Sequence, residues 1–320
     1  MSNNKNYTID TDKIIPFIVG PTAVGKTAVS IELGKQLNGE IISVDSRQIY
    51  KKLNIGTAKP DPEEMKQVEH HLVGIVEPDK RISAGKYREL ALKKVNQILA
   101  KGKLPIFVGG SGMYIRSVTR GFFKGSRTDQ EIRAEIKKEL KIKGRKALYQ
   151  RLQKIDPEYA KKIHFNDTKR ITRALEIYRI NDKPPTELYN EQKNSPPFPH
   201  IILGLKRKRK KLYQRINQRV DEMIKAGLID EVVSLRQEGY GKTFNRIKTV
   251  GYYEINRYLD GEISKEEAIE LIKQNTRNYA KRQMSWFRNQ TETTWISIED
   301  KTKEEIVNEI TQIYRKADAN

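Results

Sequence analysis

The segment Gly20-Pro-Thr-Ala-Val-Gly25-Lys26-Thr27 constrains this chain more than any other stretch, because it matches G-x-x-x-x-G-K-[ST] and joins an apolar run to a helical pattern. Residues 14–19 before it read as a buried strand. Residues 26–37 after it carry apolar side chains at i, i+3 and i+4 spacing. A strand, a glycine-bearing turn and a helix N-terminus together cradle an anion: backbone N–H groups wrap it, the helix presents its positive end, and Lys26 adds a full charge. The candidate diphosphate-binding residues are therefore Gly20, Pro21, Thr22, Ala23, Val24, Gly25, Lys26 and Thr27, with the Thr27 hydroxyl as the candidate Mg2+ ligand. The same cradle serves ATP or any other diphosphate. No N-K-x-D or D-x-x-G string accompanies it, which excludes a GTPase. The stretch 105–110 ends in glycines where an ATPase usually places an acidic residue.

Around this loop, the apolar runs at 40–45, 72–76 and 104–109 alternate with helical patterns at 26–37 and 85–100, as βαβ units with a mostly parallel sheet require. The fold class is therefore α/β with a P-loop core. From 121 to 199 apolar residues keep helical spacing through EIRAEIKKEL, ALYQRLQKI and TKRITRALEIYRI with no strand-like run, so an all-helical insertion is expected there. It closes in KPPTELYNEQKNSPPFPH (183–200), whose five prolines read as a returning loop. Strand-like runs at 200–205 and 293–298 then rejoin the sheet within a mainly helical remainder. The expected organisation is a core at 1–120, an insertion at 121–199 and a second core part at 200–320.

Lys plus Arg number 62 against 41 Asp plus Glu, a net +21 that favours a polyanionic partner, nucleic acid first. Over 121–200 there are 19 basic and 11 acidic residues, so the insertion carries +8. The chain has no cysteine, which removes disulfides, thiolate nucleophiles and Cys-ligated zinc. A polar N-terminus and the lack of any long apolar run predict a cytoplasmic protein that binds no membrane.

The run at 40–45 ends in Asp45, at the sheet edge where doubly wound folds hold ligands. A carboxylate beside a bound diphosphate either holds Mg2+ or takes a proton from a nucleophile. Asp is also a favoured helix cap, and that role stays open on the residues alone. Ser46-Arg47-Gln48 follows, with base-edge hydrogen-bonding capacity in Gln48.

The loop at 20–27, ISVDSRQIYKKLNIGTAKP (42–60), HHL (70–72), VGGSGMY (108–114) and NDTKRITRALEIY (166–178) resemble the tRNA dimethylallyltransferase family. So do LYQRINQRVDEMIKAGLIDEV (212–232), TVGYYE (249–254) and TRNYAKRQMSWFR (276–288), and the segments keep the family's order over nearly the whole chain. The resemblance implies a P-loop NTPase-like core that holds dimethylallyl diphosphate with Mg2+ and hydrolyses no nucleoside triphosphate. It implies transfer of the dimethylallyl group to N6 of adenine 37 in tRNAs reading codons that begin with U. It makes Asp45 the general base, with Lys26 and Thr27 beside it, and assigns the insertion to the anticodon stem-loop. Arg215 or Arg219 would meet the diphosphate. The tRNA contacts it implies are Asp45, Ser46, Arg47, Gln48, Ser111, Arg133, Lys169, Arg170, Ile171, Thr172 and Arg173. A monomer is expected.

Two other readings stay open on the residues: a small-molecule kinase using the same loop, and a non-enzymatic RNA-binding module. The run Lys206–Lys211 is more uniformly basic than the family's stretch, and serves either RNA attraction or a lysine-rich surface. His70 and His71 point apart and show no third ligand, so no metal is expected on them. Trp286 and Phe287 read as core.

Overall fold

The computed structural model describes residues 9, 11–121, 128–191 and 196–319. Among these, six strands form one sheet: β1 (Ile15–Val19), β2 (Gly39–Val44), β3 (His70–His71), β4 (Leu104–Gly109), β5 (His200–Lys206) and β6 (Thr294–Ser297). Their order is β3-β2-β4-β1-β5-β6, and every pairing is parallel. Parallel strands need crossovers, which are supplied by α1 (Lys26–Gln36), α2 (Pro62–Gln67), α3 (Ala84–Ala100) and α4 (Gly112–Thr119). Side chains alternate across β1: Ile15, Phe17 and Val19 enter one apolar cluster and Ile18 the other, so helices cover both faces. Phe17 stacks on Phe107 at 4.4 Å between ring centroids.

The chain divides into two compact units. Arg120–Ser195 belongs to one, and Tyr7–Thr119 with Pro196–Asn320 forms the other. The first holds α5 (Gln130–Ile155), α6 (Pro157–Lys161), α7 (Thr168–Asn181) and α8 (Pro185–Glu191). Its core is its own: Ile136, Leu148, Leu152, Ala160, Ile163, Ile171, Ala174 and Leu175. The second unit continues through α9 (Arg209–Lys225), α10 (Leu228–Gln237), α11 (Gly241–Ile247), α12 (Tyr252–Leu259), α13 (Lys265–Gln290) and α14 (Lys303–Asp318).

Two local expectations are corrected. The strand expected at 72–76 is displaced to His70–His71, because Leu72 and Gly74 both take φ +61° and turn the chain out of the sheet; Val76 keeps a single bridge to Tyr50. The proline-rich stretch expected as a loop at 183–200 contains α8. A proline at a helix start forfeits no intrahelical hydrogen bond, and Leu188 buries against Ile177.

His71 also has neighbours that sequence reasoning missed. Glu40 is fully buried and lies 2.7 Å from His71 Nε2, with Glu69 at 3.6 Å. The ammonium groups of Lys101 and Lys103 pair with Glu40 at 3.1 and 2.9 Å, so lysines supply the positive charge that this carboxylate set requires. Burial would raise the Glu40 pKa, but hydrogen bonds from Lys103, His71 and Lys101 hold it down at about 2.

Candidate active site

A cavity of about 390 Å3 opens at the carboxyl ends of the strands in the larger unit, beside β1, whose neighbours run out in both directions. Its floor is the 20–27 loop. Gly25 caps α1 at φ +114° with no side chain closing the helix end, so the first turn of N–H groups is left for a ligand. A Cβ at Gly20 would stand 2.6 Å from the Leu205 carbonyl oxygen, which fixes that position as glycine. Thr22, Ala23, Gly25, Lys26 and Thr27 line the cavity, whereas Val24 turns into the core beneath it. Lys26 Nζ donates to the carbonyls of Gly20 (3.0 Å) and Pro21 (2.8 Å). Burial lowers its pKa to about 8, against the pull of Asp45 and with a push from Arg219.

Asp45 follows β2 and lines the same cavity. Its Oδ1 accepts the backbone N–H groups of Arg47 (2.7 Å) and Gln48 (3.2 Å), while Oδ2 accepts no hydrogen bond from the described residues. No helix follows Asp45, so it caps none: Oδ1 closes the turn at 46–49 and orients the carboxylate toward the cavity, leaving Oδ2 for a ligand. The Thr27 hydroxyl and the Asp45 carboxylate are hard oxygen donors of the kind Mg2+ takes.

Both candidate arginines reach the loop from α9. Arg215 Nε donates to the Ala23 carbonyl at 3.1 Å and stays exposed; Arg219 donates to Thr22 Oγ1 at 3.4 Å. Burial pulls the Arg219 pKa down, and Asp45 raises it again. The cavity thus gathers Lys26, Arg215 and Arg219.

Two further lining residues were not read from the sequence. Lys59 is half-buried, its pKa is lowered to about 8 by burial with Glu231 opposing, and its Nζ bonds Asn54 Oδ1 at 2.9 Å. Gln283 on α13 joins the two walls: its Oε1 accepts the Thr22 N–H at 2.9 Å and its Nε2 donates to the Gly110 carbonyl at 3.0 Å. A Cβ at Gly110 would lie 2.0 Å from that Nε2, and one at Gly112 would lie 2.3 Å from Trp286. Gly110 and Gly112 admit α13, whereas Gly109 admits the backbone of Val44 on β2, 2.2 Å from where its Cβ would stand. Lys59 stood in GTAKP and Gln283 in AKRQMSW, both quoted segments, but no local spacing marks either as part of the cavity.

Several expected tRNA contacts are engaged within the protein. The Gln48 amide donates to the Thr57 (3.3 Å) and Ala58 (2.8 Å) carbonyls and accepts from Ser43 Oγ (3.3 Å). It fastens the segment that carries Lys59 and also lines the cavity. Ser111 is buried, and its Oγ accepts the Ser46 N–H at 2.9 Å. Arg47 is half-buried beside Asp45.

In the helical unit, Lys169 and Arg170 are exposed, but Ile171 is buried in that unit's core, because residues 169–173 span more than one face of α7. The Thr172 hydroxyl donates back to the Thr168 carbonyl at 2.8 Å. Arg133 and Arg173 flank the buried Glu176 at 3.1 and 3.0 Å. In the basic run, Lys211 pairs with Glu299 and Asp300, and the backbone N–H of Lys208 donates to Glu299, so part of its charge is spent at home.

Comparison with known proteins places these features in one family. The family model described as IPP transferase matches residues 48–290. A tRNA dimethylallyltransferase of Acetivibrio thermocellus is 48% identical over 88% of this chain and 90% of that protein. One of Thermotoga maritima is 44% identical over 89% and 92%. Among solved structures, a full-length tRNA isopentenylpyrophosphate transferase of Bacillus halodurans is similar with TM-score 0.69 and 40% identity, covering 95% of this chain and 97% of that one. A eukaryotic dimethylallyltransferase acting on tRNA is similar with TM-score 0.79 and 31% identity, covering 90% and 74%.

Proposed function

The chain belongs to the IPP transferase family and is a prenyltransferase that modifies tRNA; on that premise we propose that it moves a dimethylallyl group from dimethylallyl diphosphate to N6 of adenine 37, in tRNAs reading codons that begin with U. The observation that carries this reading is one cavity holding an anion cradle, Lys26, Arg215, Arg219 and a carboxylate with an uncommitted oxygen. Such a set suits a reaction that needs a stabilised diphosphate leaving group and a base beside it.

The diphosphate lies on the α1 N-terminus and Lys26, with Arg215 and Arg219 closing over it. The Thr27 hydroxyl would hold Mg2+, which when bound would offset negative charge on the departing diphosphate. N6 of adenine attacks the allylic carbon, a C–N bond forms as the C–O bond to diphosphate breaks, and Asp45 Oδ2 takes the N6 proton. An exocyclic purine amine is a poor nucleophile because its lone pair is shared with the ring, so removing the proton during attack lowers the barrier. The target base leaves the loop stack to reach the cavity.

The helical unit grips the anticodon stem-loop through exposed cations such as Lys169 and Arg170, with Arg133 and Arg173 held by Glu176. No described helix is long and apolar enough to cross a membrane. The protein works in the cytoplasm as a monomer. A kinase accounts for the loop equally well but leaves the +8 insertion without a task.

The test is to incubate the protein with dimethylallyl diphosphate, Mg2+ and unmodified tRNA carrying adenine 37, then digest the tRNA and look for the prenylated nucleoside. Its absence, from folded protein, overturns the proposed donor and acceptor.

A further inference from the structure

Five large apolar side chains stand exposed among the described residues: Met65, Ile75, Met113, Ile142 and Phe165. Phe165 is the one aromatic among them, 49% exposed, in the junction between α6 and α7. The apolar core of that unit does not include it. Its ring is nevertheless held by its neighbours. The Arg145 guanidinium lies over it, 5.7 Å from the centroid, and the His164 ring is tilted against it at 4.6 Å.

Arg145 is carried there by a break in α5. Gly144 takes φ +75°, and a Cβ on it would meet nothing within 4 Å, so the glycine serves the bend and not a close contact. The segments meeting at this point are rich in cations. Arg145 is flanked by Lys143 and Lys146, the end of α6 carries Lys161 and Lys162, and α7 opens with Lys169 and Arg170. Lys143, Lys162 and Arg170 pair with Glu139, Glu158 and Asp167, whereas the ammonium groups of Lys146, Lys161 and Lys169 have no acidic partner among the described residues.

We infer that Phe165, backed by Arg145 and His164, is a stacking platform for an unpaired base of an RNA ligand, with the surrounding lysines on its phosphates. The inference rests on the tRNA reading above and adds a contact to it. An exposed aromatic face accepts any base, because every base has a π surface, and unpaired bases of a loop are splayed out where duplex bases are not. A guanidinium over one face of the ring backs it by cation–π attraction and places a phosphate-binding fork beside it. An apolar protein partner is disfavoured by unpaired ammonium groups beside the ring, which contact with such a surface would strip of water.

Stacking and phosphate contact separate by salt. Phe165→Leu keeps the volume and loses the π face: tRNA affinity falls about 5- to 100-fold, with the slope of log Kd against log salt unchanged, because stacking releases no counterions. Arg145→Ala lowers that slope by about one. Phe165→Trp retains affinity, and its emission is quenched when unmodified tRNA is added. Affinity for inorganic diphosphate, read on the same preparations, reports that the core unit is intact.

A Phe165→Leu affinity within twofold of wild type, or a Phe165→Trp emission that tRNA does not move, overturns the platform. So does a Phe165→Leu loss accompanied by a lower salt slope, since the ring would then only position Arg145. A concentration-dependent dimer abolished by Phe165→Leu assigns the ring to a protein contact and also overturns it. Wild-type protein that neither binds nor prenylates tRNA overturns the parent reading as well; wild-type protein that does both while Phe165→Leu behaves identically overturns the platform alone.

Discussion

The two units handle positive charge in opposite ways. In the larger one, Lys26 and Arg219 sit in a cavity and burial lowers the proton affinity of both. In the helical one, Lys169 and Arg170 stand in solvent, and Arg170 lies 3.4 Å from Asp167. Desolvated cations interact strongly with an anion and are sensitive to pH, because the proton itself is held weakly. Solvated ones interact weakly one by one and are screened by salt, so they act in number. On the proposed function, one molecule would carry a small-anion site governed by pH and an RNA-binding surface governed by ionic strength.

The largest expected effect tests whether the base belongs to the first region only. Asp45→Asn lowers the single-turnover prenylation rate by about 10^2- to 10^4-fold, and tRNA affinity stays within about twofold. Equal losses in rate and binding, measured by rapid quench and fluorescence anisotropy, would make Asp45 an RNA anchor. A smaller effect sharpens the contrast itself. Raising salt from about 50 to 200 mM weakens tRNA binding tenfold or more, while inorganic diphosphate affinity changes by about threefold at most.

Diphosphate binding responds instead to pH. Burial pushes the pKa of Lys26 and of Lys59 down to about 8, and both line the cavity, so an anion there is held more tightly while these lysines are charged. Affinity measured by calorimetry, corrected for protonation of the diphosphate itself, therefore declines as pH rises through about 8. A pH-independent affinity up to pH 9.5 would show that neither lysine meets the anion.

The smallest effect concerns the sheet edge. Glu40→Gln costs about 1–3 kcal/mol of stability at neutral pH, read by denaturant unfolding. The Glu40 carboxylate has a folded pKa of about 2, below its unfolded value. Its contribution is therefore complete above the unfolded pKa and disappears as pH falls toward 2. An unchanged midpoint in Glu40→Gln would mean the lysines gain nothing from the buried carboxylate.

Much of this was legible along the chain. The 20–27 loop was readable because its function lies in consecutive backbone N–H groups, and Asp45 because a strand end is a fixed place in a parallel sheet. The helical unit showed itself by helical spacing in EIRAEIKKEL, ALYQRLQKI and TKRITRALEIYRI with no strand-like run between them. Less readable were positions whose role depends on which way a side chain turns. Gln48 and Ser111 sit in the expected segments, but their polar atoms are engaged by Thr57, Ala58 and Ser46. Ile171 lies within a basic stretch and faces inward, as a helix of 3.6 residues per turn obliges one position in such a run to do.

The sequence by itself determined the anion cradle, the alternation that makes the sheet parallel, the separate basic insertion and, through ordered motifs, the family. These are properties of neighbours in the chain, set by backbone geometry and periodicity. Only the tertiary structure decided that Gln283, 261 positions from Thr22, would tie the loop to Gly110. It alone brought Arg219 onto Thr22 and seated Lys59 in the cavity with an amide from Gln48 fastening its segment. Such contacts form when packed helices bring distant segments within hydrogen-bonding distance, and no spacing along the chain encodes which distant partner arrives.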